Sequence, residues 1–168
     1  PLAARPDIQV KLIALLADAC GSNGMTGGQS MDLAAEGRRL DAAELEHIYR
    51  LKTGRLLRAS VLSGAHCADR VEQAALHDLE RYADALGLAF QIRDDILDIE
   101  GTTAETGKTG GSDAANLKAT YPALFGMEHA RARADALLAQ AYASLDRFGA
   151  AGEGLRWAAR YIVLRQKD

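Results

Sequence analysis

The sequence predicts an all-α fold, one helical bundle of about six helices, and three observations point that way. Ala and Leu dominate while β-branched and aromatic residues are scarce, which favours helix over strand. No segment sustains the apolar–polar alternation of a half-buried strand. Glycines and capping residues divide the chain into runs of helical length. With 168 residues, 48% of them apolar, the chain is sized for one domain with a real core, and it shows no repeat, low-complexity tract or linker.

The first helix runs from about Asp7 to Ala19 and stops at Gly21-Ser22-Asn23-Gly24. A short second one spans about Met25 to Glu36 and is closed by Gly37. The third has a defined start, because Asp41 with Glu44 three residues on forms a capping box, and it continues to about Ser63. The fourth begins after Asp69 and ends near Ile99 and Gly101, with Gly87 inside it as a bend or a close helix contact. A glycine-rich loop from Gly101 to about Asn116 carries Gly107, Gly110, Gly111 and Lys108. Pro122 suits the first turn of a short helix. Helices at about Glu128–Phe148 and Leu155–Arg165 follow.

A formal net charge of −3 leaves no broad basic field for nucleic acid or an anionic membrane. Cys20 and Cys67 are too few for a zinc site or a disulfide framework. No signal peptide or membrane span is recognisable, so a reducing, cytoplasmic setting is expected. The chain starts at Pro1 without a Met and runs straight into apolar sequence, as a cut chain would.

Chemistry concentrates in the fourth helix, at Phe90-Gln91-Ile92-Arg93-Asp94-Asp95-Ile96-Leu97-Asp98-Ile99. Apolar residues cover nearly its whole circumference, the pattern of a buried helix, yet it carries three aspartates. Asp94 and Asp98 lie one turn apart on one face, Asp95 flanks them, and Gln91 and Asp84 continue the polar line. Carboxylates so close repel, and a hard divalent cation such as Mg²⁺ relieves that repulsion. A solvated acidic helix end is the competing reading.

In the third helix Lys52 interrupts the apolar stripe Leu45, Ile48, Tyr49, Leu56, Ala59. A buried lysine there needs an anion, and a lysine snorkelling to the surface is the alternative. Thr53 follows it, and Gly54 in mid-helix suggests a packing or access requirement. Gln29, Asp32 and Glu36 share one face of the second helix, where Gly27 and Gly28 permit close approach of another. Lys108 does not fit the spacing of a Walker loop and by itself reads as a loop lysine. The four histidines show no metal-ligand spacing, and no Ser-His-Asp nucleophile is suggested.

Taken together these segments resemble the trans-isoprenyl diphosphate synthase family. Asp94-Asp95-Ile96-Leu97-Asp98 resembles its second aspartate-rich motif. Gly24-Met25-Thr26-Gly27-Gly28-Gln29 with Met31-Asp32-Leu33, Lys52-Thr53-Gly54, and Gly87-Leu88-Ala89-Phe90-Gln91 stand in the family's order and spacing. Thr120-Tyr121-Pro122-Ala123-Leu124 is similar to the bacterial farnesyl diphosphate synthase branch. The likeness spans nearly the whole chain, and several motifs in register are far more specific than one.

The resemblance implies an isoprenoid-synthase-type helical bundle around a deep cavity. It implies head-to-tail condensation of isopentenyl diphosphate with an allylic diphosphate, dimethylallyl or geranyl, giving farnesyl diphosphate. Mg²⁺ is the implied cofactor, with Mn²⁺ as a substitute. Asp94 would be the principal metal ligand, with Asp95 and Asp98 acting directly or through water. Lys52 and Lys108 would bind the allylic diphosphate, Thr53 and Gln91 would ease the developing positive charge, and Gln29 would join the substrate site. A homodimer is implied for the complete protein. The sequence departs from the family in holding no first aspartate-rich motif, since Asp94-Asp95 is its only Asp-Asp pair. Residues 1–168 are therefore expected to be the C-terminal half of one synthase domain, inactive alone, with an exposed apolar face where the other half packs. A non-catalytic subunit of the same fold and a class I terpene cyclase are the competing readings.

Overall fold

The computed structural model describes residues 5–68, 70–106 and 119–164. Among these the chain is entirely helical: α1 (Pro6–Cys20), α2 (Met25–Ala34), α3 (Ala42–Tyr49), a π-helical turn (Arg50–Gly54), α4 (Arg55–His66), α5 (Gln73–Thr106), α6 (Tyr121–Phe125), α7 (Met127–Ala143), a 3₁₀ segment (Asp146–Gly152) and α8 (Glu153–Leu164).

The local signals explain most boundaries. Pro6 opens α1 at a position where the missing N–H costs nothing. The capping box forms as expected: Asp41 Oδ1 accepts from the Glu44 N–H at 2.8 Å, and Glu44 Oε2 accepts from the Asp41 N–H at 3.1 Å. Thr120 caps α6, whose Pro122 lies in its first turn. Gly126 takes φ +87°, a left-handed conformation that suits glycine, and turns the chain from α6 into α7.

Three expectations need correction. The helix expected from Asp41 to Ser63 is α3 and α4 joined through a π turn, so the rod is continuous but locally widened. The fourth helix does not stop at Gly101; α5 continues to Thr106, with Gly101 buried inside it. The helix expected to reach Phe148 ends at Ala143 and passes into the 3₁₀ segment, where Gly149 at φ +49° breaks the helical geometry.

α5 is the central element. Tyr82, Ala83, Leu88, Ala89, Ile92 and Ile96 are fully buried along it. It packs most extensively on α7, then on α4 and the π turn. The hydroxyl of Tyr82 donates to the Leu155 carbonyl at 2.8 Å and holds α8 against it. Close approach between helices is set by glycine at two places. A Cβ on Gly87 would lie 2.7 Å from the Cα of Gly54, so α5 and the π turn meet backbone to backbone. A Cβ on Gly28 would lie 2.3 Å from the backbone N of Lys52, so α2 rests on the same turn.

These contacts give an expected outcome. Gly87→Ala should destabilise the fold by about 1–3 kcal/mol, since the methyl can be admitted only by separating α5 from the π turn. Gly64→Ala, in α4 with nothing within 4 Å of the added Cβ, should instead be neutral or stabilising. Urea denaturation of both variants checks this, and equal midpoints would show that the helix crossing is loose.

Candidate functional site

The polar residues singled out from the sequence gather where α2, the π turn and α5 meet. A π-helical turn is rare and often marks a functional position, because the extra residue redirects side chains. Here it presents Lys52 and Thr53. Lys52 Nζ lies 2.5 Å from Asp32 Oδ2, with side-chain exposures of 27% and 17%. Of the two sequence readings of Lys52, the one that calls for an anion matches: it is half-buried, and its counter-ion is a carboxylate of α2. A pair this sheltered from water interacts more strongly than a surface ion pair.

Next to it, the Thr53 hydroxyl donates to Gln91 Oε1 at 2.9 Å. That bond bridges the π turn to α5 one turn before the aspartates and fixes the amide of Gln91. Gln29 is exposed on α2, three residues from Asp32 on the same helix face. Further along α5, Arg58 pairs with Asp84 at 3.1 Å and with Glu80 at 2.9 Å, so the polar line read through Asp84 ends in an ion-pair network.

The three aspartates do not share one face. Asp94 is half-buried and Asp98 exposed, one turn apart on the face that continues from Gln91. Asp95 is 4% exposed and turned into the core. Its Oδ2 accepts from the Tyr49 hydroxyl at 2.5 Å and from the Tyr121 backbone N–H at 2.9 Å. Burial, and then the charge of Asp95, pushes the Tyr49 phenol far above its ordinary value, so it remains a donor at any working pH. The sequence expectation groups Asp95 with Asp94 and Asp98 before a cation, directly or through water; in the structure its Oδ2 faces Tyr49 and Tyr121 in the core. The signal was present in the sequence: Asp95 follows Leu88 and Ile92 at seven and three residues, on the apolar face, while Asp94 and Asp98 follow Gln91.

Asp32 as the partner of Lys52, and Tyr49 and Tyr121 as the partners of Asp95, were not found from sequence, because each pairing joins distant segments. Lys108 and the glycines around it lie outside the described residues. Arg93 is directed toward Glu100, 3.9 Å away.

Hard oxygen donors on a rigid helix suit Mg²⁺, which commonly takes one or two carboxylates and completes its shell with water and substrate phosphates. Asp94 and Asp98 fit that donor set. Among the described residues no group of three or more His, Cys, Asp or Glu is gathered closely enough to hold a metal unaided. A cation here would thus depend on oxygens from outside these residues.

The family model described as polyprenyl synthetase matches residues 2–152. The farnesyl diphosphate synthase of Escherichia coli K12 is 44% identical over 162 residues, covering 95% of this chain and 54% of that protein. The farnesyl diphosphate synthase of Geobacillus stearothermophilus is 48% identical over 126 residues, 75% of this chain and 42% of that one. Among solved structures, an FPP/GFPP synthase from Zymomonas mobilis superposes with a TM-score of 0.81 at 39% identity, over 95% of this chain and 52% of its own. A geranyltransferase from Helicobacter pylori complexed with magnesium and isoprenyl diphosphate gives 0.78 at 28%, over 96% and 53%. The chain thus spans about half the length of the relatives it matches.

A double-mutant cycle of Asp32→Ala and Lys52→Ala is expected to show a coupling of about 1–2 kcal/mol in denaturation experiments. Additive single effects would mean that the ion pair contributes nothing to the packing of α2 on the π turn.

Proposed function

Since the chain belongs to the polyprenyl synthetase family, we propose that it is the C-terminal half, residues 1–168, of a prenyltransferase that makes farnesyl diphosphate. The reaction is condensation of isopentenyl diphosphate with dimethylallyl or geranyl diphosphate. The observation that carries the reading is the meeting of Lys52, Thr53 and Gln91 beside the Asp94–Asp98 face. Relatives at 40–48% identity that bear the name farnesyl diphosphate synthase support the product class.

Loss of diphosphate from an allylic carbon leaves two charges to stabilise, and the residues divide accordingly. Lys52, released from Asp32, offers its ammonium to the diphosphate, and Lys108 is a second cation for it. Asp94 and Asp98 would hold Mg²⁺, or Mn²⁺ in its place. The metal supplies Lewis-acid stabilisation of the departing group. A neighbour solved with magnesium and isoprenyl diphosphate supports this assignment. The oxygens of Gln91 and Thr53 ease the positive charge on the allylic fragment, and their mutual hydrogen bond holds them ready without reorganisation. Gln29 lies at the edge of the same site. No side chain is needed as a base, because the departed diphosphate can accept the proton lost on completing the product.

The other half of the parent protein would supply the isopentenyl diphosphate site and further metal ligands, so the chain is expected to be inactive alone. The apolar face of α1 (Val10, Ile13, Leu16) and that of α8 (Trp157, Tyr161, Leu164) are exposed, as expected of a chain that needs further packing. The complete protein is expected to be a cytoplasmic homodimer. Among the described residues no helix is long and apolar enough to cross a membrane.

In the complete protein, Asp94→Ala should lower turnover of geranyl diphosphate and isopentenyl diphosphate by roughly 100-fold or more with the fold intact, the scale on which charge-stabilising groups act. Product mass spectrometry with circular dichroism checks both halves of that statement. Near-normal turnover at saturating Mg²⁺ would remove Asp94 from the metal site, and a cyclic hydrocarbon product would replace the prenyltransferase with a cyclase.

A further inference from the structure

Three ties join the segment around the π turn to α5: Tyr49 with Asp95, Thr53 with Gln91, and Gly54 against Gly87. Residue numbers rise along one member of each pair and fall along the other, so the two segments cross antiparallel. The Tyr49–Asp95 tie stands at the end nearest the aspartates. Among the described residues it is also the only one of the three that reaches a further element, because the same Oδ2 takes the N–H of Tyr121 at the start of α6. One buried carboxylate oxygen therefore holds α3, α5 and α6 together.

We propose that Asp95 is a positioning residue, not a metal ligand: it clamps the Asp94 turn of α5 to the turn bearing Lys52 and Thr53, and so sets the spacing of the diphosphate site. The inference rests on the reading of the Asp94–Asp98 face as that site. Two fixed donors occupy one carboxylate oxygen. Turning it toward a cation would leave a buried phenol and a buried N–H unpaired, at about 1–3 kcal/mol each. Tyr49 lies three residues before Lys52, so a change in the clamp is passed through less than one helical turn. The Asp94 face need not move for the clamp to matter. A shift of the lysine turn by about 1 Å is enough to cost on the order of 100-fold in rate.

The test uses the complete protein and four variants, Asp94→Asn, Asp95→Asn, Asp95→Ala and Tyr49→Phe. Mn²⁺ binding in the presence of inorganic diphosphate is read by electron paramagnetic resonance, and kcat and KM are measured at saturating metal. Asp94→Asn should weaken Mn²⁺ binding about tenfold or more, the scale on which metal-site partners act. Asp95→Asn keeps an oxygen able to accept both donors, so Mn²⁺ binding should stay within about threefold and much of the kcat lost in Asp95→Ala should return. Tyr49→Phe should lower kcat roughly tenfold with Mn²⁺ binding unchanged, as expected for a positioning defect.

If Asp95→Asn weakens Mn²⁺ as much as Asp94→Asn does, Asp95 is a ligand and the inference fails while the site reading stands. If Asp94→Asn leaves Mn²⁺ binding intact, the site reading itself fails. Should Asp95→Ala not fold, Tyr49→Phe decides alone: full kcat in that variant overturns the clamp.

Discussion

Two backbones can come into direct contact only where side chains are absent, and the site is built at such a place. Gly87 lets α5 meet the π turn at Gly54, and Gly28 lets α2 meet the same turn at Lys52. Everything else in the site depends on those approaches. With α2 that close, Asp32 reaches Lys52. With α5 that close, Thr53 reaches Gln91 and Tyr49 reaches Asp95. Glycine in a helix interior costs roughly 1 kcal/mol relative to alanine. Here that cost is offset by the short-range polar contacts the approach permits.

The same constraint accounts for the π turn. An α-helix presents neighbouring residues about 100° apart, and the rod from α3 to α4 must serve α5 with Tyr49 and Thr53, and α2 with Lys52, within five residues. Widening the helix over Arg50–Gly54 alters that phase locally without breaking the rod. A straight α-helix through this stretch would keep Thr53 and Tyr49 together but would carry the following residues to different neighbours.

How much of this was readable beforehand follows from the range of each interaction. The capping box at Asp41 and Glu44, the proline start of α6 and the close-contact glycines are local signals, and each led to the right element. The π turn left no local signature beyond Gly54, because it arises from two helices pressing on the rod. The counter-ion of Lys52 is 20 residues away in sequence and the donors to Asp95 are 46 and 26 away, so no window reading joins them. The separation of Asp95 from Asp94 was readable from helical phase. The run of aspartates drew attention to their shared charge and away from their different faces. The end of the fourth helix was misplaced for a related reason: Gly101 looked like a stop, but a buried glycine packed against neighbours can continue a helix that tertiary contacts sustain.

The charge balance among the described residues bears on how a diphosphate would be held here. Lys52 is already matched by Asp32, so the two together are neutral. Asp94 and Asp98 add negative charge to the neighbouring face of α5. A diphosphate brought to that face would add further negative charge beside two carboxylates. Cations that arrive with the substrate, or that a segment such as the one bearing Lys108 supplies, would offset it. Divalent ions satisfy both the carboxylates and the phosphate oxygens at once, which a further lysine could not do without its own counter-ion. Under the proposed clamp, the carboxylate of Asp95 faces Tyr49 and Tyr121 in the core. On the proposed reading of this face, a divalent ion and a diphosphate would each favour binding of the other.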